Sequence, residues 1–284
     1  MLSSYKNIKR DENNKRPCVK PQLVLISIVI DRSASMQTMK GKHIEMCEKM
    51  IENIKSQSLI DDIPTKLTFR SFDDIVETIC DKVNPHDFDI DSNILKNKLE
   101  PRGCTRFRDT IMEEIDHLYD QKKSYLKSLP SSIRQLSPKV VMILNVVTDG
   151  EDNMSINSEF ECRKVVTNFR EDGGKCILMS ANLNSQLLAE RIGFSKKTSI
   201  TVHNSDNNAI NSAFISVTNL QRELSQGFDN IQFSQADRGS SMPMLSTSLL
   251  NQSFDDNDDE LDETVEINNQ ASQLFQNLPK LKRY

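Results

Sequence analysis

The 284-residue sequence has no tryptophan, only eight glycines, no Cys-x-x-Cys pair and no apolar run of membrane-spanning length. The apolar run at residues 23–30 falls far short of the roughly 20 residues that a helix needs to cross a bilayer. The opening segment, MLSSYKNIKRDENNKRPC, carries charges but no apolar centre, so it does not read as a signal peptide. The spacing of the six cysteines (Cys18, Cys47, Cys80, Cys104, Cys162, Cys176) fits no zinc module. These absences lead to the expectation of a soluble cytoplasmic protein with reduced thiols and no membrane segment. A basic excess is also missing. The eight acidic and three basic residues of 251–284 account for the whole net charge of −5, which leaves the first 250 residues balanced. Nucleic acid is therefore not an expected partner.

What is present is an alternation of buried strands and amphipathic helices. LVLISIVID and KVVMILNVVTDG (139–150) are continuously apolar rather than alternating, as strands covered on both faces are. KCILMSANL reads as a third such strand, and SITVH as a short one. TKLTFRSF and IVETIC, separated by Asp73 and Asp74, predict a hairpin. Helical spacing predicts helices over 43–57, 92–99, 107–126, 158–170, 185–192 and 208–225. The pattern predicts an α/β fold with a doubly wound, mostly parallel central sheet and helices on both faces. Right-handed crossovers would then gather the C-terminal strand ends on one edge. The expected domain limits are a flexible lead-in at 1–20, the α/β domain at 21–230, and a disordered acidic tail at 231–284, which contains DDNDDELDE.

Three segments can bring polar side chains to that edge. DRSAS supplies Asp31, Ser33 and Ser35, PRGCTRFRDT supplies Thr105, and VVTDGED supplies Asp149. Two carboxylates and three hydroxyls form an all-oxygen set, which suits a hard divalent cation, Mg²⁺ first. Taken singly, each segment is also an ordinary helix N-cap; it is the combination, twice after a buried strand, that points to a metal. Other residues stay open between two readings. Cys104 is a reactive thiol or a buried inert one. Arg102, Arg106 and Arg108 flank a metal or start a solvated helix. Glu151 and Asp152 extend an acidic rim or are solvated loop charges. His43, His86, His117 and His203 read as surface or helix-end residues.

Residues 22 to about 226 resemble a von Willebrand factor type A (vWA) domain. DRSASM is similar to that family's D-x-S-x-S motif, GCTRFRDTI to its threonine loop and VVTDGEDN to its final aspartate loop. LTFRSFDDIVETI and NLQREL add to the likeness, while Ala34 stands where the family often has glycine. The resemblance implies a metal-ion-dependent adhesion site (MIDAS). Ser33, Ser35 and Thr105 would be direct or near-direct ligands, and Asp31 and Asp149 would act largely through water. The implied cofactor is Mg²⁺, with Mn²⁺ as the alternative. The implied function is a non-enzymatic, metal-dependent adhesion or adaptor module for a protein partner that presents Asp or Glu. Two other functions compete with it: a metal-dependent phosphohydrolase with Asp31 as nucleophile, and a scaffold whose site is vestigial.

Overall fold

The computed structural model describes residues 20–242 apart from 90, 182–183, 204–205 and 230. The lead-in at 1–19 and the acidic run of the tail lie outside the described residues. Six strands form one sheet: β1 (Leu23–Asp31), β2 (Thr65–Phe72), β3 (Val76–Val83), β4 (Val140–Thr148), β5 (Lys175–Ala181) and β6 (Ser199–Val202). Their order is β3-β2-β1-β4-β5-β6, with every pairing parallel except β2–β3. The helices are α1 (Lys42–Asp61), α2 (Ser92–Lys98), α3 (Phe107–Ser128), α4 (Ser131–Arg134), α5 (Glu159–Glu171), α6 (Ser185–Ile192), α7 (Asn207–Ser225) and α8 (Gln235–Ser241). This is the doubly wound α/β architecture that the strand–helix alternation predicts.

The two layers follow from side-chain alternation along the strands. Val24, Ile26, Ile28 and Ile30 of β1 pack in one cluster with Met46, Met50 and Ile54 of α1 and Ala213, Val217 and Leu224 of α7. Leu23, Leu25 and Val29 pack in the other cluster with Ile111 and Ile115 of α3 and Val166 and Phe169 of α5. Every residue of β1 is buried, because helices cover both faces. Each fully buried aliphatic side chain contributes roughly 1.5–3 kcal/mol. A central strand placed this way is therefore a firm base for whatever its C-terminal end carries.

One residue of β1 breaks the apolar run. Ser27 faces α3 and donates a 2.8 Å hydrogen bond to Glu114 Oε1, while Arg70 Nη1 lies 3.0 Å from Glu114 Oε2. The buried carboxylate of Glu114 thus has a guanidinium and a hydroxyl as partners.

Residues 231–242, which composition groups with the tail, belong instead to the folded body. Phe233 is buried in the α1/α7 cluster. Ser234 and Asp237 form a reciprocal capping box at the start of α8, and Ser216 of α7 donates to Asp237 Oδ1 at 2.6 Å. A polar, glycine-containing helix carries almost no periodic apolar signal, so composition alone hides it. Along β6, Arg238 Nη1 donates to the Ser199 carbonyl at 2.6 Å, and the His203 amide donates to the Ser241 carbonyl at 3.1 Å. Among the described residues no helix is long and apolar enough to cross a membrane.

Candidate metal centre

The parallel pairing of β2, β1 and β4 brings the ends of all three strands to one edge of the sheet. Asp31 is the last residue of β1 and is fully buried. Its Oδ1 accepts from the Ser33 amide at 2.7 Å and its Oδ2 from the Thr148 hydroxyl, at the end of β4, at 2.6 Å. The chain then turns into a 3-10 segment, Ala34–Met39, pinned from below by buried Met36 and Met39. Ala34 has no positive φ, so the loop does not need the glycine that the resembled family often places there.

The five predicted residues meet. The Ser33 and Ser35 hydroxyl oxygens are 3.0 Å apart, and Ser35 donates to Asp149 Oδ1 at 2.7 Å. Thr38 donates to Asp149 Oδ2 at 3.3 Å. Gly150 shows where the hydroxyls point: a Cβ on it would lie 3.1 Å from Ser35 Oγ, 3.4 Å from Thr105 Oγ1 and 3.8 Å from Ser33 Oγ. Three hydroxyls therefore converge on the space beside Gly150, where a Cβ would press on Ser35 Oγ. The Thr105 loop is fixed from the other side. Its amide donates to Asn153 Oδ1 at 2.8 Å, and its carbonyl accepts from the Asn153 and Met154 amides at 3.0 and 3.2 Å.

The electrostatics distinguish this cluster from the rest of the interior. Burial raises Asp31 from the ordinary 3.8 to about 6, against the hydrogen bonds from Thr148 and Ser33. Burial likewise raises Asp149, against those from Ser35 and Thr38. Among the described residues, the ion pairs of Lys and Arg go to other carboxylates and not to these two. Nor do three His, Cys, Asp or Glu side chains gather to hold a metal among the described residues; any ion here would depend on hydroxyls. The donor set fits a small, hard divalent ion. Neighbouring oxygens of an octahedron with 2.0–2.1 Å bonds stand about 2.9 Å apart, close to the 3.0 Å between Ser33 and Ser35.

Several neighbouring residues settle differently from their sequence readings. Cys104 is exposed rather than buried, directly after Gly103, which has positive φ. Burial pushes the Cys80, Cys162 and Cys176 thiols up to about 12, which leaves them inert. His43 is not a surface residue. It is buried on the inner face of α1, where Nε2–H donates to the Leu99 carbonyl at 3.0 Å and burial keeps the ring below its ordinary value. The three arginines are engaged within the chain: Arg102 with Asp73 and Glu77, Arg106 with Asp109 and Glu113, and Arg108 with Asp152. Asp152 is not a rim charge; it accepts from the Arg108 amide at 2.7 Å and the Ser155 amide at 2.9 Å. Sequence reasoning missed Thr148, Gly150 and Asn153. Thr148 and Gly150 flank the final aspartate, which was the available signal; Asn153 lies four residues beyond it.

No family model matches the chain, and no curated protein matches it. Solved structures match at low identity. Proximal thread matrix protein 1 from the mussel byssus aligns over 72% of this chain and 48% of its own, at 15% identity and a TM-score of 0.46. Manganese-loaded TRAP protein of Plasmodium vivax aligns over 69% of this chain and 75% of its own, at 14% identity and a TM-score of 0.46. A von Willebrand factor type A structure from Catenulispora acidiphila aligns over 71% of this chain and 43% of its own, at 11% identity and a TM-score of 0.41. The chain thus spans about half the length of the mussel protein, and identities this low compare folds alone.

Proposed function

We propose that this chain is a non-enzymatic binding module of the vWA kind. It would recognise an Asp or Glu carboxylate on a protein partner through a divalent cation, Mg²⁺ in preference to Mn²⁺, held by Asp31, Ser33, Ser35, Thr105 and Asp149. One observation carries this reading: two buried or half-buried carboxylates have no Lys or Arg ion-pair partner among the described residues and stand beside three converging hydroxyls. A buried carboxylate left without a cation is costly, and a divalent ion is the species that would offset that cost here. When bound, the ion would supply a Lewis-acidic position for an incoming carboxylate. The chain's own contribution is to orient neutral hydroxyls and to limit itself to two carboxylates, so the cation keeps affinity for a third. The absence of a basic excess in the first 250 residues favours a protein partner over nucleic acid. A cytoplasmic location belongs to the same proposal.

The geometry favours binding over hydrolysis. Both Asp31 oxygens are occupied by hydrogen bonds from Ser33 and Thr148, and the side chain is fully buried, which is poor placement for a nucleophile. Calorimetric titration with Mg²⁺ and Mn²⁺ tests the site: binding by the wild type and none by Asp31→Ala is expected, and no heat at millimolar metal favours a vestigial site. Pulldown in Mg²⁺ and in EDTA tests the function. A partner retained only in Mg²⁺ and only by the wild type supports it, and identical partner lists in all lanes overturn it.

A further inference from the structure

We infer that Arg32, Asp73 and Arg102 form a clamp that sets the spacing between the serine loop and the threonine loop, making all three positioning residues for metal binding although none touches the metal position. This rests on the metal reading above.

Arg32 lies between Asp31 and Ser33, and its side chain, 1% exposed, goes to its own set of partners away from the hydroxyl cluster. Its Nε lies 3.0 Å from Asp73 Oδ2, Nη2 donates to Asp73 Oδ1 at 3.4 Å, and Nη1 donates to the Lys98 carbonyl at 3.1 Å. Nη1 also lies 3.0 Å from Glu77 Oε2. Asp73 closes the β2–β3 turn, accepting at Oδ1 from the Ile75 amide at 2.9 Å and at Oδ2 from Arg102 Nε at 2.8 Å. Backbone bonds complete the frame. The Arg102 amide donates to the Arg32 carbonyl at 2.7 Å and the Arg106 amide to the Asp73 carbonyl at 2.9 Å. The Arg32 amide donates to the Phe72 carbonyl at 2.8 Å.

The segment that carries Thr105 is thus fastened at 102 and 106, on either side of the ligand, to the residue next to Asp31 and to the hairpin turn. Gly103 (φ +68°) permits the close approach, since a Cβ there would stand 2.5 Å from Asp74 Oδ1. Burial alone would raise Asp73, but the Ile75 amide and the Arg102 and Arg32 guanidiniums overcome it and hold the carboxyl below its ordinary value. Asp73 therefore meets the guanidiniums as a carboxylate at neutral pH. A hard ion tolerates little error in oxygen placement, and partners that hold ligands from behind typically govern 10- to 100-fold in affinity.

The experiment uses the full chain and its Asp73→Asn, Arg102→Gln and Glu114→Gln variants. Folding is checked by circular dichroism, and Mg²⁺ and Mn²⁺ affinity by calorimetry. Asp73→Asn is expected to bind about 10- to 100-fold more weakly. Arg102→Gln, at a side chain 53% exposed that leaves Arg32–Asp73 in place, is expected to lose a smaller factor. Glu114→Gln breaks a buried ion pair remote from the loops, so it should lower stability and leave metal affinity unchanged. Should Asp73→Asn fail to fold, Arg102→Gln decides. Amide exchange in metal-free protein reads the clamp alone: faster exchange at Thr105 and Arg106 in Arg102→Gln, with the sheet unchanged, is expected. Wild-type affinity and wild-type exchange in a folded Arg102→Gln overturn the clamp. If the wild type binds neither metal, the metal reading fails, while the exchange result still decides the clamp.

Discussion

Asp31 ends β1 and Asp73 directly follows the neighbouring β2, at the same edge of the sheet, and both side chains are fully buried, yet their circumstances are opposite. Asp73 is surrounded by the guanidiniums of Arg32 and Arg102 and is held below its ordinary value. Asp31 is met by the Thr148 hydroxyl and by Ser33, with no Lys or Arg ion pair among the described residues, and burial pushes it up to about 6. One carboxylate is neutralised by the fold; the other has no such partner among the described residues, and in the proposed function a divalent cation takes that place. The difference teaches that burial by itself does not mark a functional acid. What marks it is burial without a cation, in a setting rich in additional oxygen donors.

The sharpest way to break the comparison is Asp73→Ala. It leaves buried Arg32 with Glu77 as its remaining carboxylate partner, and removing one member of a buried pair is expected to cost about 3 kcal/mol, read by urea unfolding. Asp31→Asn should act in the opposite direction in the absence of metal. Because the folded value of about 6 lies above the ordinary 3.8, the native state holds more protons between those values. Stability of the metal-free protein should therefore rise as pH falls from above 6 towards 4. Asp73, with its folded value depressed, loses its contribution as pH falls below the ordinary carboxylate range. Asp31→Asn should remove the rise near pH 6 and stabilise the metal-free protein at pH 7 by on the order of 3 kcal/mol. It should also abolish Mg²⁺ binding, which in the wild type should weaken as pH drops through 6. Unfolding curves at pH 5 and 7, with and without Mg²⁺, check all three.

Gly150→Ala sharpens the comparison from the hydroxyl side. Its methyl would meet Ser35 Oγ at 3.1 Å and Thr105 Oγ1 at 3.4 Å. Metal affinity is expected to fall at least about tenfold, or about 1.4 kcal/mol, in calorimetric titration, while the melting temperature changes little. The smallest effect is Ala34→Gly. The 3-10 turn makes no use of positive φ at this position, so the glycine should cost roughly 0.5–1 kcal/mol in stability and leave metal affinity unchanged.

Much of this was legible in the sequence because the signals are local. The continuous apolar runs of β1 and β4, the hairpin around Asp73 and Asp74, and the stripes of α1, α3 and α7 each lie within one window of residues. Four of the five candidate residues were legible because they end or follow β1 and β4, and parallel strands bring their C-terminal ends together; Thr105 lies instead in the loop before α3. The clamp was not legible. Nothing near Arg32 in sequence distinguishes a buried arginine from a solvated one; its partners lie 41 residues away at Asp73 and 66 residues away at Lys98. The burial of His43, a helix-end residue of α1, was hidden for the same reason, since the carbonyl that makes it tolerable belongs to Leu99, 56 residues on. The α8 helix escaped notice because it is attached through Asp237, Arg238 and Phe233 rather than through an apolar stripe.

That attachment governs how the sheet can grow. An unpaired strand edge is a template for another strand, and β6 stands at one end of the order. Arg238 fills the Ser199 carbonyl, and the Ser241 carbonyl fills the His203 amide. The α8 helix thus covers part of the β6 border, at the Ser199 carbonyl and at the His203 amide just beyond the strand, while β3, with Glu77, Asp81 and Lys82, is the opposite border. A chain cut at residue 230 would keep all five candidate metal ligands and lose that cover. It should associate edge to edge more readily than the full chain, which sedimentation of the two at matched concentrations checks.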